Sequence, residues 1–157
     1  ALNTDFILDM MLAQNPDVQK VGLLYSLSEP NSTTPIAEAK AYLDAGKVEG
    51  AMDDLKILAK DTRNIYGAEA KYKVAQIYFD AGQTEQAEKE VLDYIEVSTP
   101  HTYWLARSFV LLSDVYMKLG RNLDAKQYLL SLKQNYQADD DIAGMIESRL
   151  NKLNAEN

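Results

Sequence analysis

The chain has 157 residues, a net charge of −8 and 46% hydrophobic residues, a composition typical of one globular domain with a sizeable core. The acidic balance argues against a nucleic-acid backbone as the main ligand, because such ligands require a basic face. The sequence has no cysteine, which excludes disulfides, thiolate zinc sites and cysteine nucleophiles, and no apolar run approaches the roughly 20 residues that span a bilayer.

Residues 1–34 admit two interpretations. In the first, a helix bearing Phe6, Ile7, Met10 and Met11 and a second helix after Pro16 form a degenerate hairpin. In the second, VGLLYS, which begins at Val21, is a buried strand followed by the loop LSEPNSTTP. The helix at Val21–Tyr25 is favoured, because the remaining chain offers helices to pack on and no sheet to join.

The strand interpretation is supported by a resemblance to a known family. The segment ILDMMLAQNPDVQKVGLLYSLSEPNSTTPIAEAKAYL, residues 7–43, is similar to part of bacterial ABC-transporter substrate-binding proteins. The resemblance implies a loop at the edge of a ligand cleft, made by Ser26, Ser28, Glu29, Asn31 and Ser32. It ends near Asp44, and the rest of such a sheet is missing from this chain.

Three later segments share one pattern. Each has a glycine, with a tyrosine four residues before it, a small residue seven before it and an alanine five after it. The glycines are Gly46, Gly82 and Gly120; the tyrosines are Tyr42, Tyr78 and Tyr116; the small residues are Ala39, Ala75 and Ser113; the alanines are Ala51, Ala87 and Ala125. Such a repeat is typical of a solenoid. Because glycine permits the turn that ends a helix and small residues let helices approach, the pattern predicts three helix–turn–helix hairpins with the tyrosines in their core.

Capping patterns predict where several helices begin. Thr34–Pro35 and Thr99–Pro100 each place a capping threonine before a proline in the first helical turn. The aspartates of residues 139–141 predict the start of a last helix. An apolar stripe follows them, made by Ile142, Met145, Ile146, Leu150 and Leu153. We expect this helix to cap the open end of the solenoid.

The repeat pattern resembles the tetratricopeptide repeat (TPR) family over about residues 34–136. The resemblance implies an all-α, right-handed α-solenoid of three TPR-like hairpins with a C-terminal capping helix. The predicted division is an N-terminal segment 1–34, repeats 35–136 and a cap 137–157. The family's early tryptophan position holds Pro35, Lys71 and Phe109, which is a departure. Similarity to bacterial cell-envelope repeats favours the periplasm, and the meeting of two resemblances raises the hypothesis of a composite chain.

In this family the first helix of each hairpin lines a groove that holds peptides or partner helices. Transfer by register gives a main set of candidates and a further set. The main set is Lys40, Tyr72, Gln76, Phe79, Arg107, Val110 and Asp114; the further set is Ile36, Leu43, Glu69, Lys73, Leu111 and Met117. Only Arg107 fits the family's carboxylate clamp, which disfavours a receptor for chaperone tails. We expect Tyr66, Tyr72 and Tyr103 to be exposed and Trp104 to pack between hairpins.

Residues for catalysis are scarce. His101 is the only histidine, and we expect it to be exposed in the first turn of a helix. No serine lies in a G-x-S-x-G turn, no glycine-rich phosphate motif occurs, and the aspartates of residues 139–141 lack the glycine of a calcium loop. The sequence therefore predicts no enzyme activity, cofactor or metal. The predicted function is a scaffold that binds a protein or peptide partner in the groove. The alternatives are a small-molecule-binding fragment in the N-terminal part and a structural module that oligomerises through the solenoid ends.

Overall fold

The structure is a computed structural model, and it describes residues 33–97 and 99–156, without the side chains of residues 33–36 and 43. The described residues form helices and no strand. The helices are α1 (Thr33–Asp44), α2 (Val48–Leu58), α3 (Ile65–Asp80), α4 (Thr84–Ile95), α5 (Thr102–Lys118), α6 (Asn122–Asn135) and α7 (Ile142–Ala155). The all-α fold class is confirmed. The strand or helix at Val21–Tyr25 and the other predictions for residues 1–32 lie outside the described residues.

The helices stack as a solenoid. Pairs α1–α2, α3–α4 and α5–α6 form three hairpins, and the second helix of each hairpin packs on the first helix of the next unit. The first helices also follow one another directly, since α1 contacts α3, α3 contacts α5 and α5 contacts α7. Helix α7 takes the place of a fourth first helix and covers α5 and α6. Within the described residues, no helix has the length and apolar character needed to cross a membrane.

The repeat glycines end the first helix of each hairpin, as predicted. Gly46, Gly82 and Gly120 have φ values of 75°, 79° and 75°, in the left-handed region that glycine adopts without steric cost. The next residue's N–H donates to the carbonyl of the repeat tyrosine, at 2.7 to 2.9 Å. This closing bond satisfies a carbonyl that has no partner inside the helix.

The small repeat residues lie where the two helices of a hairpin touch. None of the six, at the positions before and after each glycine, is more than 1% exposed. A larger side chain at these positions would push the helix axes apart. The sequence pattern therefore predicted these buried positions of each hairpin correctly.

The prediction that all three repeat tyrosines are core residues is wrong for Tyr42. Tyr116 is only 4% exposed and Tyr78 is partly buried, but Tyr42 is 39% exposed. Tyr116 packs against the ring of Tyr128, with ring centroids 5.5 Å apart. The equivalent position in the first hairpin is Asp54, so Tyr42 has no aromatic ring there to pack on.

One predicted helix start needs correction. Helix α5 begins at Thr102, two residues after Pro100, because the Thr99 hydroxyl donates to the Thr62 carbonyl at 2.7 Å and accepts from the His101 N–H at 3.2 Å. Thr99 thus ties two loops together and does not cap the helix. At α7 the predicted cap by an aspartate is confirmed, because the Ile142 N–H donates to Asp140 Oδ1 at 2.9 Å. Helix α1 begins at Thr33, and the predicted cap by the Thr34 side chain lies outside the described atoms.

The core divides into a large and a small cluster. The larger cluster spans the second and third hairpins and α7, and holds nineteen of the described buried residues. The smaller cluster lies in the first hairpin and α3 and holds five, three of which are alanines. Four residues of the predicted α7 stripe are buried in the larger cluster, namely Ile142, Ile146, Leu150 and Leu153, and Met145 packs beside them. Among the described residues, the core is therefore most extensive at the C-terminal end of the solenoid.

Candidate partner-binding face

The candidate groove residues lie on three successive first helices. Lys40 is on α1, three candidates are on α3 and three are on α5. Contacts between helices connect them, because Lys40 Nζ lies 3.9 Å from Glu69 Oε1 and the Arg107 guanidinium lies 5.3 Å from the centre of the Tyr72 ring. We call the surface of α1, α3 and α5 that bears these residues the first-helix face.

A shared carboxylate lies at the α1 end of the face. Glu69 accepts ion pairs from two lysines, Lys40 at 3.9 Å and Lys73 at 3.5 Å. The Glu69 side chain is largely buried, whereas the Lys40 side chain is 57% exposed. Two ammonium groups thus face one carboxylate, which leaves an excess of positive charge here. Since exposed ion pairs contribute little stability, Lys40 is available to a partner at small cost.

The centre of the face is a polar chain along α3. The Tyr72 hydroxyl donates to Gln76 Oε1 at 2.8 Å, and Gln76 Nε2 donates to Asp80 Oδ1 at 2.8 Å. The spacing of four residues puts all three side chains on one side of the helix. The expectation that Tyr72 is exposed is wrong: only 8% of it is exposed, because the Trp104 ring lies 5.6 Å away and Arg107 lies over it. Trp104 packs between the second and third hairpins, as expected.

Arg107 is held in place by neighbours on several sides. Its Nη1 donates to the Tyr103 hydroxyl at 2.8 Å and lies 3.5 Å from Asp141 Oδ2, while its guanidinium lies over the Tyr72 and Trp104 rings. Burial disfavours the charged form, but interactions with the Tyr72 and Tyr103 hydroxyls outweigh it and raise the pKa above its ordinary value. Arg107 therefore stays a fixed cation at the edge of the face.

Sequence reasoning missed the partners of Arg107. Tyr103 donates its hydroxyl to Asp141 Oδ1 at 2.9 Å, which connects α5 to the residue just before α7. It is partly buried, contrary to the expectation of exposure, and burial is the main cause that raises its pKa. Asp141 was predicted only as a helix cap. Tyr103 and Asp141 are 38 residues apart, about one repeat length, and this spacing was the sequence signal that could have predicted their contact.

Two candidates on α5 do not present an open surface. Val110 and Leu111 are each 2% exposed and belong to the larger core cluster, so neither belongs to the first-helix face. Asp114 does reach the face, but its carboxylate is paired with Arg149 of α7. Arg149 Nε lies 2.7 Å from Asp114 Oδ1, and Nη2 lies 2.8 Å from Oδ2. This bidentate pair neutralises the carboxylate and fastens α7 to α5. Phe79 and Met117 are partly buried beside the core, and the side chains of the candidates Ile36 and Leu43 lie outside the described atoms.

His101 serves the junction between repeats. Its ring Nε2 lies 2.9 Å from the Arg63 carbonyl, and the residue is half-buried, not exposed as expected. Burial lowers the pKa of His101, and the hydrogen bond to the carbonyl opposes that effect in part. Among the described residues, no group of three or more His, Asp or Glu side chains comes together as a metal site.

A family model described as Tetratricopeptide repeat matches residues 106–135, which cover most of α5 and all of α6. No curated protein and no solved structure gives a significant match. The match supports a relation to that family in the third hairpin, and the first two hairpins share its helix order, glycine turns and small-residue contacts. Repeats of this family generally mediate protein–protein interaction. The comparisons do not bear on the bacterial cell-envelope and substrate-binding-protein resemblances, which stay predictions.

Proposed function

We propose that this protein is an interaction scaffold that binds a protein segment across the first-helix face. The observation that carries the proposal is the side-by-side arrangement of α1, α3 and α5, which joins Lys40, Gln76 and Arg107 into one surface with both polar and aromatic groups. A solenoid offers such a surface because each repeat adds one helix to the same side. Fixed aromatic and arginine side chains are also the residue types that contribute most to protein interfaces.

The organisation of the face supports recognition of a segment over catalysis. Its hydrogen bonds run from side chain to side chain along α3 and hold Gln76 in one orientation, with its amide already polarised by Asp80. A prearranged amide and a fixed guanidinium bind a peptide with little loss of side-chain entropy. The only histidine lies against the Arg63 carbonyl and is not one of the residues of the first-helix face, so the face has no imidazole for acid–base chemistry.

The proposal is tested with a peptide selected from a random phage-displayed library against the full chain. Lys40→Glu and Gln76→Ala change the first-helix face, and Lys89→Glu and Gln127→Ala are matched changes at exposed positions on the second helices α4 and α6. We expect the first pair to weaken binding roughly tenfold, since each removes or reverses a polar contact, and the second pair to bind as the parent does. Equal losses in both pairs would place the interface elsewhere and refute the proposal.

The remaining functional predictions are independent of this test. A small-molecule site at Val21–Pro35, oligomerisation through the solenoid ends and a bacterial periplasmic location stay predictions. Sedimentation over a range of concentrations tests the second of these, because a mass that rises with concentration would show self-association.

A further inference from the structure

The first-helix face ends in a cleft beside the capping helix. The cleft has a volume of about 530 Å³ and lies among the carboxyl-terminal turns of α3, α5 and α7. We call it the cap cleft, and its lining residues are Phe79, Asp114, Met117, Lys118, Lys152 and Glu156. Phe79 and Asp114 are residues that the repeat register independently assigned to the groove. The cap cleft is thus continuous with the first-helix face and extends it onto α7.

The floor of the cap cleft is apolar and fixed. Phe79 of α3 and Met117 of α5 are partly buried and pack against the larger core cluster. Their remaining exposed surface faces a space large enough for one bulky side chain together with its neighbouring backbone. An apolar side chain placed there would remove both from water, which is favourable in proportion to the apolar area covered.

The rim of the cap cleft is positively charged. Both carboxylate oxygens of Asp114 are occupied by Arg149, so this acid is neutralised. Lys118 and Lys152 are exposed, and neither forms a hydrogen bond or ion pair with the part of the chain that the structure describes. Besides Asp114, the lining residues include one carboxylate, that of Glu156, and two ammonium groups. This excess of positive charge occurs in a chain whose net charge is −8.

We propose that the cap cleft binds an acidic peptide segment that inserts one apolar side chain between Phe79 and Met117 and places its carboxylates beside Lys118 and Lys152. The inference rests on the proposed function, since it names the chemistry of the partner at one end of the same face. Because the chain as a whole has a net charge of −8, an acidic segment is favoured only where lysines are in local excess, as they are at this rim.

The two lysines also lie in the last turns of α5 and α7. A cation there stabilises the helix, because the carboxyl-terminal end carries a partial negative charge. A purely structural role of this kind would show as a loss of thermal stability when the lysines are replaced. The proposed role concerns binding, so the two are separated by measuring the melting temperature and the affinity on the same variants.

The test uses fluorescence anisotropy with three labelled peptides and the full chain. In each peptide the pair Leu-Phe is flanked on both sides by two identical residues, which are glutamate, glutamine or lysine. We expect the glutamate peptide to bind roughly tenfold tighter than the glutamine peptide, and its affinity to fall as salt is raised. The double variant Lys118→Gln/Lys152→Gln should lose this preference, whereas the matched Lys60→Gln/Lys89→Gln, which removes the same charge at exposed positions outside the cleft, should keep it.

Three results would overturn the inference. The first is equal or tighter binding of the lysine peptide, and the second is an unchanged preference in the Lys118→Gln/Lys152→Gln variant. The third is self-association of the free chain that this variant abolishes, which would assign the cleft to a second copy. If the phage-selected peptide still depends on Lys40 and Gln76 while the glutamate peptide fails, the inference fails alone. If neither peptide depends on the face, the proposed function fails with it.

Discussion

Gly67 shows at the scale of one residue how closely α3 approaches the loop before it. A Cβ atom at this position would lie 1.9 Å from the Asp61 carbonyl oxygen and 2.8 Å from that of Leu58. Both atoms belong to the backbone, so neither can move aside as the end of a flexible side chain would. The residue is thus required by packing, although it lies in the first turn of a helix where glycine is otherwise unfavourable.

Gly67→Ala should destabilise the protein by about 2 to 3 kcal/mol, because the added methyl group forces the loop and α3 apart. Gly144→Ala is the matched control, since Gly144 lies inside α7 and a Cβ there meets no atom within 4 Å. That substitution should stabilise by about 0.5 to 1 kcal/mol through helix propensity. Urea unfolding followed by circular dichroism measures both. A Gly67→Ala variant as stable as the parent would contradict the packing described for this junction.

His101 gives the protein a pH dependence of stability with a defined sign. Its pKa is lowered in the folded state, chiefly by burial, from an ordinary value of about 6.5. As the pH falls through about 6.5, the unfolded chain takes up a proton that the folded chain does not. The contribution of His101 is therefore fully present above about pH 6.5 and is lost as the pH falls towards the lower folded pKa.

His101→Gln should reduce this dependence, because glutamine retains a donor for the Arg63 carbonyl and does not titrate. The measurement is the melting temperature at about pH 7.5 and about pH 5.5, on either side of the ordinary pKa. We expect the parent to lose more of its melting temperature than the variant over this interval. Identical losses would show that His101 protonates equally in the folded and unfolded chains.

At the scale of helices, the two core clusters divide the solenoid into parts of unequal packing. Helices α5, α6 and α7 share the larger cluster, with leucine, phenylalanine and tyrosine side chains, whereas the described buried residues of the first hairpin are two alanines and Leu55. Because contacts in a solenoid are made only between neighbours, each part opens with its own local free energy. The first hairpin should therefore be the least stable described part.

Hydrogen exchange of the native protein tests this difference. Amides of α2 near Leu55 should exchange at least roughly tenfold faster than amides of α5 and α6 near Leu112 and Leu132. All three leucines are fully buried, so the comparison reports cooperative opening and not exposure in the folded state. Uniform exchange through the three hairpins would instead indicate a single cooperative unit.

Features that depend on residues within one repeat were predictable from the sequence, whereas contacts between repeats were not. Glycine turns and small-residue contacts depend on residues a few positions apart, so their pattern predicted the hairpins correctly. The burial of Tyr72 depends on Trp104 and Arg107 of the next repeat, and the exposure of Tyr42 depends on Asp54 standing where the third hairpin has Tyr128. Such contacts combine residues from different helices, and the register of one repeat does not specify them.

The candidate face shows the same limit. Register placed Lys40, Gln76, Phe79, Arg107 and Asp114 on adjacent first helices, where the structure also has them. The repeat register did not predict that Arg149 of α7 pairs with Asp114, or that Val110 lies in the core. The pairing of Asp114 depends on the capping helix, whose sequence departs from the repeat pattern, so the repeat register does not predict it.

For the complete solenoid, we propose that partners bind along the first helices and not along the second helices. The absence of cysteine makes this claim accessible to site-specific blocking. Gln76→Cys places one thiol at the centre of the first-helix face, and Gln127→Cys places one on the exposed surface of α6. Each variant is measured before and after coupling to a maleimide that carries polyethylene glycol.

The deciding measurement is the affinity of the phage-selected peptide for these four preparations. Coupling at position 76 should weaken binding by at least about tenfold relative to the same variant uncoupled, because the polymer occupies the face that the peptide requires. Coupling at position 127 should leave the affinity unchanged. Unimpaired binding after coupling at position 76, or a loss confined to position 127, would contradict the assignment of the first-helix face as the binding surface.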